Sequence, residues 1–228
     1  MAVPVRVLTY NIHSLRDDRA SLTGLVRDVA PDVVIVQEAP RRFRWRHKCA
    51  ALADDFGMVV AAGGLPSLGN LLLVSLRVRM LETWCLRYPL TPGRHMRGEA
   101  FLRGSVRGAT FTVTGSHLAT DPAERPAQAA RWKEAIAAVD GPVIAGGDLN
   151  EGPGGGAWRT VADGLVDAGA AVSSSALTFP ATLPRQRLDA VFVSPDITIE
   201  KYEVIDTDRA RRASDHLPVL TDLALPSS

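Results

Sequence analysis

The chain is poor in cysteine: Cys49 and Cys85 are its only two, and neither stands in a C-x-x-C or zinc-finger spacing. That excludes a disulfide framework and a thiolate metal site. Both thiols read as core or near-core groups of a protein kept in a reducing compartment. No run of eighteen apolar residues exists, so no segment is expected to span a membrane. Met1–Leu8 lacks the charged-then-apolar order of a secretory signal, and the expected location is cytoplasmic. A strong net charge is missing too. With 26 basic and 25 acidic residues the balance is +1, which excludes a surface that is a polycation throughout but not a local basic patch. Lysine is almost absent, with only Lys48, Lys133 and Lys201 beside 23 arginines. GC-rich coding accounts for such a bias, although arginine's planar fork also suits phosphate and carboxylate. No repeat, Gly/Ser-rich linker or charge run divides the chain. One domain over residues 1–228 is expected.

The hydrophobic pattern alternates short apolar runs with amphipathic stretches. Val5–Tyr10 and Val33–Gln37 read as buried strands. Between them Leu22, Leu25, Val26 and Val29 recur at helical spacing up to Pro31. Trp45, Cys49, Leu52 and Phe56 mark a second helix, and Ala129, Trp132, Ile136 and Val139 a third. Leu71–Val74, Met80–Leu86, Ala100–Val106, Ala109–Ser116, Pro142–Ala145, Leu188–Val193, Ile197–Val204 and Leu217–Leu223 read as strands. Ala157–Ala168 is expected to be helical, and residues 88–98 and 172–186 to be loops. The pattern predicts an α/β fold with about twice as many strands as helices and with antiparallel hairpins, not a simple alternating sheet.

Polar residues interrupt the strand ends in a consistent way. Asn11 ends the first strand, Gln37-Glu38 the second, Ser116-His117 the hairpin, and Asp148-Leu149-Asn150 the strand from Pro142. Asp189 opens a late strand, and Ser214-Asp215-His216 precedes the last. Sites in layered α/β proteins form where strand ends and their loops converge. Each residue alone has an ordinary structural explanation: a cap for Asn11, a solvated carboxylate for Glu38, an Asx turn for Asp148 and Asn150. Asp189 resists one, because a carboxylate inside an apolar strand needs a partner. Together the carboxylates, amides and imidazoles make an oxygen-rich set that suits Mg²⁺ or Mn²⁺ and phosphoryl chemistry.

With these motifs in order, the chain resembles the endonuclease/exonuclease/phosphatase superfamily. The matching segments are Leu8-Thr9-Tyr10-Asn11, Val36-Gln37-Glu38, Gly69-Asn70, Ser116-His117-Leu118, Arg125 with Gln128, Gly147-Asp148-Leu149-Asn150, Thr178-Phe179-Pro180 leading to Arg187-Leu188-Asp189, and Ser214-Asp215-His216-Leu217-Pro218. The resemblance implies a four-layer α/β sandwich, with two mixed sheets packed face to face and helices outside. It implies Mg²⁺-dependent hydrolysis of a phosphate ester, with Mn²⁺ able to substitute. Glu38 would be the principal metal ligand, with Asn11 beside it and Asp215 nearby. Asp148, helped by Asn150, would orient or deprotonate the attacking water. His216, oriented by Asp189, would contact a phosphate oxygen, and His117 would stand close to the scissile group as a candidate acid.

Outside that set, Arg97, Arg211 and Arg212 are expected to contact substrate. Arg125 and Gln128 are expected to tie their helix to the site loop. The basic run from Arg41 to Lys48 reads as a solvated face or as an anion contact. Residue 190, an alanine after Asp189, departs from the bulkier residue usual in the family. The substrate is expected to be a phosphodiester such as nucleic acid or a small ester. The other readings are a phosphomonoesterase and a non-catalytic module that keeps the fold.

Overall fold

In the computed structural model, which describes residues 2–226, the β-branched runs pair as two six-stranded sheets. The first has the order β11(Thr198–Val204)-β12(Val219–Leu225)-β1(Val3–Asn11)-β2(Val33–Gln37)-β4(Leu71–Val74)-β3(Val59–Gly63). The second runs β5(Arg79–Arg87)-β6(Gly98–Val106)-β7(Ala109–His117)-β8(Val143–Asp148)-β10(Asp189–Val193)-β9(Val166–Asp167). Each sheet has one parallel pair at its centre, β1 with β2 and β7 with β8; the remaining pairs are antiparallel. A parallel pair needs a helical crossover. Here α1(Arg19–Val29) and α3(Arg125–Ala137) supply it. The two pairs face each other, so four strand ends open onto one edge of the sandwich.

The amphipathic faces read from the sequence bury as four layers. Val5, Val7, Ile35, Leu72, Leu102, Val113, Ile144 and Val191 fill the space between the sheets. Leu22, Leu25, Cys49, Leu52 and Phe56 bring α1 and α2(Trp45–Phe56) onto the first sheet. Trp132, Ala129 and Ile136 bring α3 onto the second, where α4(Gly156–Ala162) adds Trp158. The sheets approach closely above the site because Gly115 and Gly146 leave room for Ile35. A Cβ on them would stand 2.4 and 2.7 Å from its side chain.

Among the described residues, twelve strands against six α-helices match the two-to-one ratio expected. Three elements differ from the sequence reading. Residues 157–168 are not one helix, because Gly164 takes φ +88° and breaks α4 from β9 and the short α5(Ala168–Ala171). β3, a five-residue Val-Val-Ala-Ala-Gly strand half-exposed at a sheet edge, received no assignment from the sequence. α6(Asp208–Ala213) is a six-residue helix capped by Thr207, too short for a periodic signal. Among the described residues no helix is long and apolar enough to cross a membrane.

Candidate active site

The edge where β1, β2, β7 and β8 end gathers most of the residues singled out above. Asp148, at the end of β8, is fully buried and held from several sides. Its Oδ2 accepts from Asn11 Nδ2 at 3.0 Å, and its Oδ1 accepts from the Asn150 backbone N–H at 2.9 Å. Its Oδ2 lies 3.2 Å from His117 Nε2 and 3.7 Å from His216 Nε2. Asn150, itself at φ +49°, donates to Leu118 O at 2.9 Å and has its amide 2.9 Å from His117 Nε2. Burial pulls the His117 imidazole down to about 3, against the attraction of Asp148. Burial favours the neutral ring, which stands between Asp148 and Asn150.

His216 is the opposite case. It is buried, and its Nδ1 lies 2.8 Å from Asp189 Oδ2. Burial works against its charge, but Asp189, then Asp148 and Asp215, outweigh that and push it up to about 10. The ring packs 4.7 Å from Phe179. Asp189 is placed by β10, paired with Asp148 across the ladder, and its backbone N–H donates to Thr178 Oγ1 at 3.3 Å. The Ser214-Asp215-His216 loop is pinned because Ser214 Oγ donates to Asn11 O at 2.6 Å. Ala181 N–H donates to Asp215 O and Leu217 N–H to Thr178 O, which knits the loop of Thr178–Pro180 to that of His216.

Glu38 and Asp215 stand on the more open side, half-exposed at the ends of the first sheet. Glu38 has φ +58°, and its Oε2 accepts from Ser14 Oγ at 2.8 Å. Ser14 belongs to a turn, His13–Leu15, whose three residues have φ of +45°, +55° and +59°. Left-handed backbone in three successive non-glycine residues costs roughly 1–2 kcal/mol each and is the kind of strain kept at functional sites. His13 braces the turn: its N–H donates to Asn11 Oδ1 at 3.1 Å, its Nδ1 meets Asp17 at 2.7 Å, and its Nε2 lies 3.8 Å from Asp215. The sequence reading missed Ser14 and His13, and nothing in His-Ser-Leu signals positive φ.

Two groups of donors fit a cation differently. Asp148, Asp189 and His216 offer ligand atoms within 4.8 Å of one another. They are already engaged with one another and with their neighbours, Asp189 with His216 and Asp148 with Asn11 and Asn150. Glu38 and Asp215, both half-exposed, offer carboxylate oxygens, and the buried Asn11, whose Nδ2 donates to Asp148, offers an amide oxygen that already accepts from the His13 N–H. That donor chemistry fits Mg²⁺ or Mn²⁺.

The arginines divide. Arg125 donates to Glu151, Ala119 O and Thr120 O, and Gln128 Oε1 accepts from Ala119 N–H, so this pair ties α3 to the site loop as expected. Arg97 reaches the cleft, feeling the charges of Asp148 and Glu38. Arg211 does not join it: its guanidinium forks onto Asp206 at 2.7 and 3.0 Å on exposed α6. Arg212 is exposed on the same helix, near Asp18. Arg41, only part of a basic run in the sequence, turns inward beside Arg97.

No curated protein matches the chain by sequence. Solved structures match its fold over almost all of its length. An endonuclease/exonuclease/phosphatase family protein from Bacteroides thetaiotaomicron has a TM-score of 0.82 at 16% identity, covering 99% of this chain and 96% of that one. A mannosyl-6-phosphatase from Bacteroides thetaiotaomicron VPI-5482 has 0.79 at 17%, covering 96% and 99%. D. rerio TDP2 complexed with single strand DNA product has 0.75 at 21%, covering 96% and 98%. At these identities the likeness concerns the fold. The sequence model of the Endonuclease/Exonuclease/phosphatase family matches residues 8–216, from the Asn11 strand to His216. The chain therefore belongs to the endonuclease/exonuclease/phosphatase family, a family of metal-dependent phosphate-ester hydrolases.

Proposed function

We propose that the chain is a Mg²⁺-dependent phosphodiesterase of nuclease type, in which water attacks phosphorus. The observation that carries the reading is the buried Asp148, fixed by Asn11, Asn150 and His117 and only 3.7 Å from His216 Nε2. A proton acceptor and a proton-bearing imidazole thus face the same small volume. Asp148 accepts the proton of the attacking water, and Asn150 and His117 keep its carboxylate from turning. His216, charged by Asp189, donates to a non-bridging phosphoryl oxygen and offsets the charge that builds there. Phe179 covers the ring and limits water around it. Glu38, Asn11 and Asp215 are the residues that would hold Mg²⁺, with Mn²⁺ as a substitute. The ion supplies Lewis-acid stabilisation of phosphoryl charge. Arg97 binds substrate.

A phosphomonoesterase uses the same groups, and the unpaired cation of Arg97 would suit a dianionic ester. The intact set of Glu38, Asp148, Asn150, Asp189 and His216 speaks against a non-catalytic module. The test is hydrolysis of bis-p-nitrophenyl phosphate and p-nitrophenyl phosphate with Mg²⁺ or Mn²⁺, by the wild type and Asp148→Asn. The diester should be the better substrate, and the variant should lose most of the activity. Equal rates in the two proteins would sink the catalytic assignment, and a preference for the monoester would replace the diesterase reading.

A further inference from the structure

Five arginines are not fully exposed: Arg6, Arg41, Arg97, Arg125 and Arg187. Three of them have carboxylate partners, Arg6 with Asp222, Arg125 with Glu151 and Arg187 with Asp167. Arg41 and Arg97 have no such partner among the described residues. Arg41 Nη1 donates to two backbone carbonyls, Leu68 O at 2.8 Å and Met96 O at 3.3 Å. Its stem passes over Gly69, where a Cβ would come within 3.3 Å of Arg41 Cδ. Arg41 is thus wedged between the loop before β4 and the loop before β6. Arg97 follows Met96 directly, and its Nε is buried without a hydrogen-bond partner. Burial and the neighbouring charge of Arg41 disfavour its cation, while Asp148 and Glu38 favour it without touching it.

Two adjacent, half-buried guanidinium groups without a counter-charge are costly for a fold to keep. Their forks match phosphate oxygens in geometry and charge. Neither arginine hydrogen-bonds Asp148 or Glu38, so their remaining donors are not taken up by the groups proposed to act on the reacting phosphate. The exposed Arg42, Phe43 and Arg44 beside them do not share this setting.

We propose that Arg41 and Arg97 form a second anion subsite, which takes a phosphate group of the substrate adjoining the phosphate that reacts. The subsite rests on the phosphoesterase reading above. It makes the preferred substrate one with at least two phosphates on neighbouring positions.

The test compares the p-nitrophenyl ester of thymidine 5′-phosphate with the same ester bearing a 3′-phosphate, at saturating Mg²⁺. The wild type should favour the second through KM, by about tenfold or more, as expected for charge-assisted hydrogen bonds. Arg41→Ala and Arg97→Ala should collapse that preference. Arg41→Lys, which keeps the charge but loses the fork, should restore only part of it. Arg42→Ala, which removes an exposed charge next door, should leave it intact. The ratio of the two substrates within one variant is insensitive to how much of the protein is folded. Equal losses on both esters in Arg41→Ala would make Arg41 a loop clamp and overturn the subsite. So would an equal effect of Arg42→Ala, or a wild type with no preference. A wild type that hydrolyses neither ester would instead sink the phosphoesterase reading itself. A third arm, the ester of a dinucleotide, separates the sources: preference for its internal phosphate points to a nucleic-acid chain, and preference for the terminal phosphate to a small bisphosphate.

Discussion

The two sides of the cleft are built by different rules. On the side of β8, β10 and the His216 loop, Asp148 and His216 are buried and Asp148 has partners at both carboxylate oxygens. On the side of β1 and β2, Glu38 is half-exposed and depends on one serine in a left-handed turn, and Asp215, next to His216 in its loop, is half-exposed towards the same opening. The closed side is rigid because removing any partner strands a buried polar group. The open side keeps carboxylate oxygens turned to solvent, where a cation and a phosphate can enter. A third setting gives the contrast: Glu99 on β6 is buried, its Oε2 has no partner, and burial pushes its carboxyl up to about 8. Burial without a partner favours the neutral form of a carboxyl, whereas both carboxylate oxygens of Asp148 are hydrogen-bonded.

Changes on the closed side should have the largest effects. Asp148→Asn keeps the shape and loses the proton acceptor, and kcat should fall about 10²–10⁴-fold with the melting temperature little changed. Asp189→Asn leaves His216 without its counter-charge, and kcat should fall by about 10² while KM moves less. A kcat within a factor of two of the wild type for either variant would break the comparison.

Smaller effects belong to the open side and to Glu99. Ser14→Ala frees the Glu38 carboxylate and should weaken Mg²⁺ activation by about tenfold at most, recovered at higher Mg²⁺. An unrecovered loss of kcat would place Ser14 with the closed side instead. Glu99→Gln concerns stability. Because the folded carboxyl sits at about 8 against an ordinary 4.5, Glu99 costs the fold nothing below 4.5 and an increasing amount as pH rises to about 8. The variant, having no charge to form, should become the more stable of the two across that window, as read by thermal melts at pH 5 and pH 9. An equal pH response would mean that Glu99 has a partner after all.

The closed side was the legible one. Asp189 interrupts an apolar strand and must be paired, so the sequence marks it by itself, whereas Asp148, Asn150 and His216 stand out only as members of the joint pattern. The open side was half legible: Glu38 and Asn11 end buried strands, but Ser14 and His13 sit in a polar turn whose backbone handedness no residue type announces. The arginines were least legible. A guanidinium reaches far from its backbone, so its partner depends on tertiary contacts. Arg211 is taken up by Asp206, while Arg41 turns inward from a run that otherwise faces solvent. Likewise, the twelve residues expected as one helix from 157 break at Gly164 because its left-handed φ suits a turn.

The division between the two sides is tested most directly by titrating Mg²⁺ against the hydrolysis rate of bis-p-nitrophenyl phosphate in Glu38→Gln and Asp148→Asn. Glu38→Gln should raise the half-saturating Mg²⁺ by about tenfold or more and keep much of the plateau. Asp148→Asn should depress the plateau at every concentration and leave the midpoint where it is in the wild type. The reverse pattern, a shifted midpoint for Asp148→Asn and a lowered plateau alone for Glu38→Gln, would contradict the account.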